Sequence, residues 1–485
     1  MYKKTKKEKS EGIRLEGQIT IALALVLMII VSLLLSTVEA ARATALEVRM
    51  ECAVQTALYS LFSQYHRELA EQYDLLFIDS SFQTDSPSIK AMEGQLEYYM
   101  ENNCRAPSEQ FFLMTRDWYG ITEETCAIEG VRLATDSMSP MVYQQAVAYM
   151  KDLVNMDLCD DIQSWITVCD ECGIDAQGFE EENAKKVEEA QQSYSGDGEW
   201  TITQIYPELD VTKLFDGKDI SWFAGDGKGI SFKSINLMNT YSFRNKNQGS
   251  SELAPKMLAD PLQDIYFNEY ILLKLGHYAD VPENGVLDYQ SEYVICGTGS
   301  DAGNLLLVCE LLFFLRSAAN IIPLMQSEEA KGIIDGISSL ALLLEIPPEV
   351  VKPLLYMFWA ALEGLFDTRS ILQGERVPLL KDYADFTVSL NGIGSLGDSL
   401  YQKKEGGGTI ADGLAYEDYL RIFLLTIPRP LRIMRCIDMI EGNIRLTEGN
   451  QYFRMDGCVD LVMVQVSIET EFGHFYTLRR KYGYF

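Results

Sequence analysis

Histidine is scarce: His66, His277 and His474 are the only three in 485 residues. That leaves little for imidazole-based catalysis. Positive charge is short as well. Forty-one Lys and Arg face 71 Asp and Glu, a formal charge of −30 with a sequence pI near 4.5. Nucleic-acid phosphates are held by basic faces, so an excess of this sign argues against such a partner. Catalytic signatures are missing too. No serine sits in a Gly-x-Ser-x-Gly elbow, and there is no Walker loop, HExxH motif or dinucleotide fingerprint. The Gly-rich stretch Gly297–Gly303 (GTGSDAG) has no lysine for a phosphate. No repeat of about 20–50 residues stands out. Apolar material, by contrast, is plentiful. Hydrophobic residues make up 47% of the chain, with 26 Tyr, 21 Phe and 5 Trp, enough for sizeable cores. Wholesale disorder, a fibrous repeat and a polytopic transporter are thereby excluded, and the length suggests about two to four domains.

Charge is absent altogether from residues 19–38, ITIALALVLMIIVSLLLSTV. As a helix this stretch spans about 30 Å, the thickness of a hydrocarbon core. Its few polar residues, Thr20, Ser32, Ser36 and Thr37, can return their hydroxyls to helix carbonyls. Before it stand Lys3, Lys4, Lys6, Lys7, Lys9 and Arg14 against Glu8, Glu11 and Glu16. Basic flanks stay cytoplasmic, so the expected topology is amino terminus inside, residues 39–485 outside. Without that tail, 35 basic and 68 acidic residues remain, a net −33 beyond the membrane. Val38-Glu39-Ala40 offers a competing reading as a signal-peptidase site. The apolar run is longer than a usual signal core, however, and AARATALEVRMECAVQTALYSLF continues without Gly or Pro. An uncleaved anchor is therefore expected, and no cysteine follows the run at a lipobox position. Leu46, Met50, Ala53, Ala57, Leu61 and Tyr65 recur at helical spacing as one apolar stripe, with Arg42, Glu47, Arg49 and Glu51 on its wet side. The spacing predicts a rod from about Gly17 to Gln72, or a short juxtamembrane helix followed by a separate one.

Residues EGQITIALALVLMIIVSLLLSTVEAARATALEVRMECAVQTALYSLFSQY resemble the amino-terminal segment of TadE/TadG-like proteins of Flp (Tad) pilus systems. The shared features are a basic start, Gly17 before the apolar run, Glu39 at its exit and an Ala-rich helix beyond. The remainder is similar to an uncharacterised family of single-pass proteins from Gram-positive anaerobes. The carrying segments are YDLLFID (Tyr73–Asp79), EYILLKLGHY, Leu287–Asn320 and Tyr416–Arg445. The resemblance implies location and company, with pilin-like or pilus-assembly partners, but no chemistry. Counting from Gln18, the fifth position is Ala22 where a polymerising pilin carries Glu, so an abundant filament subunit is not implied. Asp79-Ser80-Ser81-Phe82-Gln83 lacks the second serine of a D-x-S-x-S adhesion motif, and no metal is assigned.

The expected fold class is α+β, mainly helical. A long N-terminal transmembrane helix continues into an extracytoplasmic helical head with a small C-terminal β hairpin or sheet. The expected organisation is a basic tail (1–16), an anchor (17–38) and a pilin-like extension with a first helical region (39–194). A linker and small β-containing region (195–256) and a mainly helical domain (257–485) complete it. Helical patterns are read at 88–118, with Tyr98, Tyr99 and Met100 as core, and at 141–172. Others fall at Tyr266–Leu275, Ala302–Ala319, Gly332–Glu345, Val350–Phe366 and Tyr416–Leu425, all too short or interrupted to span a membrane. Ile230, Phe232 and Ile235 hint at a short strand after a turn at residues 226–229. Soft regions are expected at 180–192, at 245–251 and at 405–408. VDLVMVQVSIETEF and HFYTLRRKYGYF alternate as a strand hairpin.

Candidate chemistry is sparse. Cys169-Asp170-Glu171-Cys172 encloses two acids, which oppose a reactive thiol, and no second CxxC completes a zinc site. Disulfides among Cys159, Cys169 and Cys172, or plain core roles for cysteines such as Cys309 and Cys436, are both open. His66 suits a solvated or interdomain role; His277 and His474 suit packing. Glu269-Tyr270, Glu292-Tyr293 and Glu417-Asp418-Tyr419, with Arg316, Arg421 and Arg435, suit Arg–carboxylate pairs fastening helices better than acid–base work. The expectation is a non-enzymatic, membrane-anchored structural or assembly component, minor-pilin-like, beside a Tad/Flp-type pilus or at the cell surface. It has no catalytic, cofactor-binding or metal residue, needs no cofactor, and meets the membrane through residues 19–38. The alternative is an anchored extracytoplasmic hydrolase acting on cell-wall or glycan substrates. Removing residues 1–38 should release a folded, soluble head.

Overall fold

A computed structural model describes residues 2–82, 84, 86–104, 119–154, 156–171, 220, 223, 229–250, 253, 260–341, 348–390, 402–403 and 413–484. Expectations for 105–118, 180–192, 226–228 and 405–408 lie outside them. The fold is α+β and mainly helical. Helix α1 (Tyr2–Phe62) is one uninterrupted element. Its apolar window from Ile19 is entirely unburied, with a mean hydropathy of 2.9. Burial begins at Leu46 and takes in Met50, Ala53, Val54, Ala57, Leu58, Leu61 and Phe62, the expected stripe with its i+1 neighbours. Tyr65 departs from expectation: it lies past the helix and is 44% exposed.

The rod to Gln72 is also corrected. The chain turns at residues 63–66 and resumes as α2 (Arg67–Tyr73). No Gly or Pro marks that turn, because tertiary contacts make it. The His66 N–H donates to the Phe77 carbonyl, and Nδ1 accepts from the Leu69 N–H as an N-cap. Asp74 closes α2 in the left-handed region at φ 53°, its N–H returning to Ala70.

One antiparallel sheet gathers strands from both ends of the chain. Its centre is β5 (Cys458–Thr470), paired with β2 (Ile121–Leu133) on one edge and with β1 (Ile78–Asp79) and β6 (Phe475–Gly483) on the other. Val462, Val464, Val466 and Ile468 alternate inward and are fully buried, as β-branched residues on a pleat facing a core should be. That face packs on α1 and on α3 (Ile89–Cys104). Met100 is buried as expected, but Tyr98 is 60% exposed, pointing off the packed side of α3. The C-terminal hairpin matches its expectation.

A larger helical body follows. It comprises α4 (Pro140–Lys151), α5 (Met156–Glu171), α6 (Pro261–Lys274), α7 (Gln290–Cys296), α8 (Asp301–Gln326), α11 (Tyr416–Thr426) and α12 (Arg429–Arg445). Between α8 and α11 come α9 (Glu328–Ala341), α10 (Pro348–Leu372) and the short pair β3 (Val388–Ser389) and β4 (Gln402–Lys403). Trp359 centres a third core with Leu324, Ile334, Phe358, Phe386 and Val388. Helix α8 is apolar enough to cross a bilayer, yet 61% of its apolar window is buried, with Asn304, Arg316 and Asn320 inside the protein. It is a core helix. The short strand expected around Ile230–Ile235 is an extended segment with a lone bridge, Ser234 to Ser300. The soft stretch at 245–250 is a strap: N–H groups of Asn247, Gly249 and Ser250 donate to Asp456, Asp136 and Val131.

Candidate functional site: the junction of helix and head

The acids nominated from sequence are consumed by internal partners. Glu269 takes a bidentate hydrogen-bond pair from Arg421 at 2.7 and 3.0 Å, and Glu417 and Asp418 hold the same guanidinium at 2.6 and 2.8 Å. Four side chains thus tie α6 to α11. Arg316, with no exposed surface, donates to Asp367, to the Pro378 and Leu379 carbonyls and to Asn320. Asp367 also accepts from Lys381, which pairs with Glu363. Burial pushes the Asp367 carboxyl up, but Arg316 and Lys381 outweigh it and hold it below the usual range. Arg435 donates to the Val294 and Ile295 carbonyls, capping the end of α7. Tyr293 donates to Asp438, which also accepts from the Ser242 N–H and hydroxyl.

Glu292 is the chemically unusual member. It is fully enclosed; one oxygen accepts from the Tyr278 N–H and the Tyr416 hydroxyl at 2.8 and 2.7 Å. The other oxygen is buried without a hydrogen-bond partner. Burial pushes this carboxyl up to about 7, with Asp301 adding to the rise. Such a pKa suits a general acid, but a carboxyl with no exposure cannot reach a substrate. Among the described residues no cluster of His, Cys, Asp and Glu fits a metal ion. Cys159, Cys309, Cys436 and Cys458 are buried and free, the plain core role. Cys172 and the Cys169 side chain lie outside the described residues. GTGSDAG starts α8: Ser300 Oγ caps the Gly303 N–H, and Asp301 accepts from the Asp288 and Tyr289 N–H groups and the Ser231 hydroxyl. In the Asp79–Phe82 turn, Asp79 accepts from the Ser81 N–H and hydroxyl, a local structural use.

What sequence reasoning missed is the junction. His474, in the turn between β5 and β6, sets Nε2 2.7 Å from Glu39 Oε1, the first residue past the apolar run. One turn further along α1, the Arg42 guanidinium lies 4.0 Å from the centroid of the Phe472 ring. Glu51 then pairs with Arg480, Tyr59 and Phe62 pack on Tyr482, and the Tyr484 hydroxyl donates to the Phe62 carbonyl. Arg42, Arg49 and Glu51, expected on a wet face, are half-buried, and Arg49 donates to the Asn103 carbonyl. Gly120, at φ +61°, lies under the Phe472 ring, where a Cβ would come within 2.7 Å. An open groove of about 750 Å³ runs beside this seam, lined by Ala40, Thr44, Ala45, Val48 and Tyr119 among others.

Known proteins bear on the other half of the molecule. A profile of a family of unknown function, DUF5702, matches residues 207–470. The chain belongs to that family. No curated protein and no solved structure matches it. The DUF5702 stretch contains α6 to α12 and all of β5, and it stops at Thr470, just before the turn that meets α1. Nothing in the sequence could pair Glu39 with His474 across so long a separation. The one local signal is two phenylalanines, Phe472 and Phe475, around Gly473, where a hairpin turn is ordinarily polar.

Proposed function

We propose that this DUF5702 protein is a single-pass membrane protein with its amino terminus in the cytoplasm and residues 39–485 outside. In this reading it works without catalysis, as a structural or assembly component, minor-pilin-like, of a Tad/Flp-type pilus or of the cell surface. One observation carries the reading: the unburied apolar run and the packed stripe of the head belong to the same helix. A twenty-residue apolar cylinder has no stable place in water and matches a bilayer in length. Because α1 runs without a break from the apolar run to the residues that pack on the sheet, force or tilt at the anchor passes directly to the head. The basic tail supports the orientation. The internal pairing of Glu269, Glu417, Asp418 and Asp367 supports a scaffold over a hydrolase. Small side chains along the groove at Ala40, Thr44 and Ala45 allow close approach of a neighbouring helix.

Topology and role are testable together in the host cell. Protease added to intact cells should remove a carboxyl-terminal epitope tag, and deleting the gene should reduce surface filaments. A tag cut only after lysis overturns the orientation; unchanged filaments and no crosslink to any pilus component overturn the pilus role.

A further inference from the structure

We infer that the β5–β6 turn is a second membrane contact, with Phe472 and Phe475 seated in the interfacial layer of the bilayer beside α1. This rests on the reading that residues 19–38 span the membrane. Strand β6 runs alongside α1: His474 meets Glu39, Arg480 meets Glu51, Tyr482 meets Tyr59 and Tyr484 meets Phe62. From Glu39 to Phe62 the helix advances about 35 Å, and from His474 to Tyr484 the strand covers about 33 Å. Helix and strand are therefore nearly parallel, and the sheet stands upright on the anchor with the turn at its foot.

The depth of the turn follows from the same contacts. Glu39 directly follows Val38, the last apolar residue of the run. The Phe472 ring lies under Arg42, only about 4.5 Å further along the axis. Headgroups occupy roughly 5–8 Å on each side of the hydrocarbon, so both residues fall within them. There the side chains suit their surroundings. Phe472 is 46% exposed and Phe475 68% exposed, large apolar surfaces that water does not favour and the interfacial layer does. Exposed Glu123, Glu469 and Glu471 surround them. These acids would repel anionic lipid, so the fitting surface is a neutral interface entered by aromatic rings, not a charged one. With α1 as one support and the turn as another, the upright head cannot lean freely.

The test uses the full chain in phosphatidylcholine nanodiscs, reading the emission added by a single new tryptophan relative to the parent. Phe475 is 68% exposed at the start of β6, so Phe475→Trp should fold normally. Its emission should shift to the blue and be lost when the lipid is replaced by phosphatidylcholine brominated near the headgroup. Lys481→Trp, on the same outward face about 20 Å up the strand, should show neither change. Val31→Trp, read in phosphatidylcholine brominated near the chain ends because the residue lies about 10 Å below the edge of the apolar run, reports on the anchor. If Val31→Trp is quenched while Phe475→Trp stays water-like, the second contact is refuted and the anchor stands. If neither is quenched, the spanning reading fails and this inference falls with it.

Discussion

Replacing Glu292 by glutamine should remove part of the pH dependence of folding. The carboxyl titrates near 4.5 in the open chain and at about 7 in the fold, because burial disfavours its charge. A group whose pKa is raised by folding adds stability that is complete below the unfolded value and is lost as pH rises through the folded one. Here the window runs from about pH 4.5 to about 7. The difference corresponds to about 3 kcal/mol, all of it gone by pH 8. Glutamine keeps an oxygen for the Tyr278 N–H and Tyr416 hydroxyl but never ionises. Its amide would sit where the unpartnered oxygen now lies, a cost of about 1–3 kcal/mol that is the same at every pH. The neighbours facing this carboxyl are Asp301, Tyr289, Cys296 and Cys309, all unchanged by the substitution. Denaturant unfolding of parent and E292Q in the same micelles, at half-unit steps from pH 4 to 8, isolates the term. E292Q should gain on the parent by about 3 kcal/mol over that range. A constant difference would show that Glu292 ionises in the fold as readily as in water, and would remove the buried-acid account of α7.

Two further outcomes follow from the architecture. Asp460 receives Arg132 through three hydrogen bonds of 2.9, 3.2 and 2.6 Å with both side chains buried, so Asp460→Asn should cost about 3–5 kcal/mol and the apolar pair Arg132→Met/Asp460→Leu should recover most of it in the same unfolding assay. Among the described side chains the buried set starts at Leu46, so residues 39–485 should purify as a folded monomer without detergent; aggregation on a sizing column would contradict a self-contained head.

Much of this was legible locally. The apolar run, the stripe from Leu46 to Leu61, the helices after Pro261 and Ser300 and the alternation of β5 all follow from spacing and caps that neighbouring residues supply. Strand β2 was not legible, and the reason is specific. Its register slips at three places, between Ile121 and Glu123, Ile128 and Gly130, and Arg132 and Leu133, so no clean alternation survives. The break at residues 63–66 was hidden likewise, because the groups that enforce it, Phe77, Asn450 and Phe453, come from elsewhere in the chain.

The carboxylates divide along the same line. Sequence placed Glu269, Glu417 and Asp418 near tyrosines and proposed that arginines fasten them; only the fold put all three on Arg421 and assigned Asp367 to Arg316. By itself the sequence determined the elements and the greasy segment, since a helix's period and a bilayer's thickness are properties of contiguous residues. Tertiary structure alone decided that Glu39 would meet His474 and that β6 would stand along α1, because side chains hundreds of positions apart acquire neighbours only when the whole core closes.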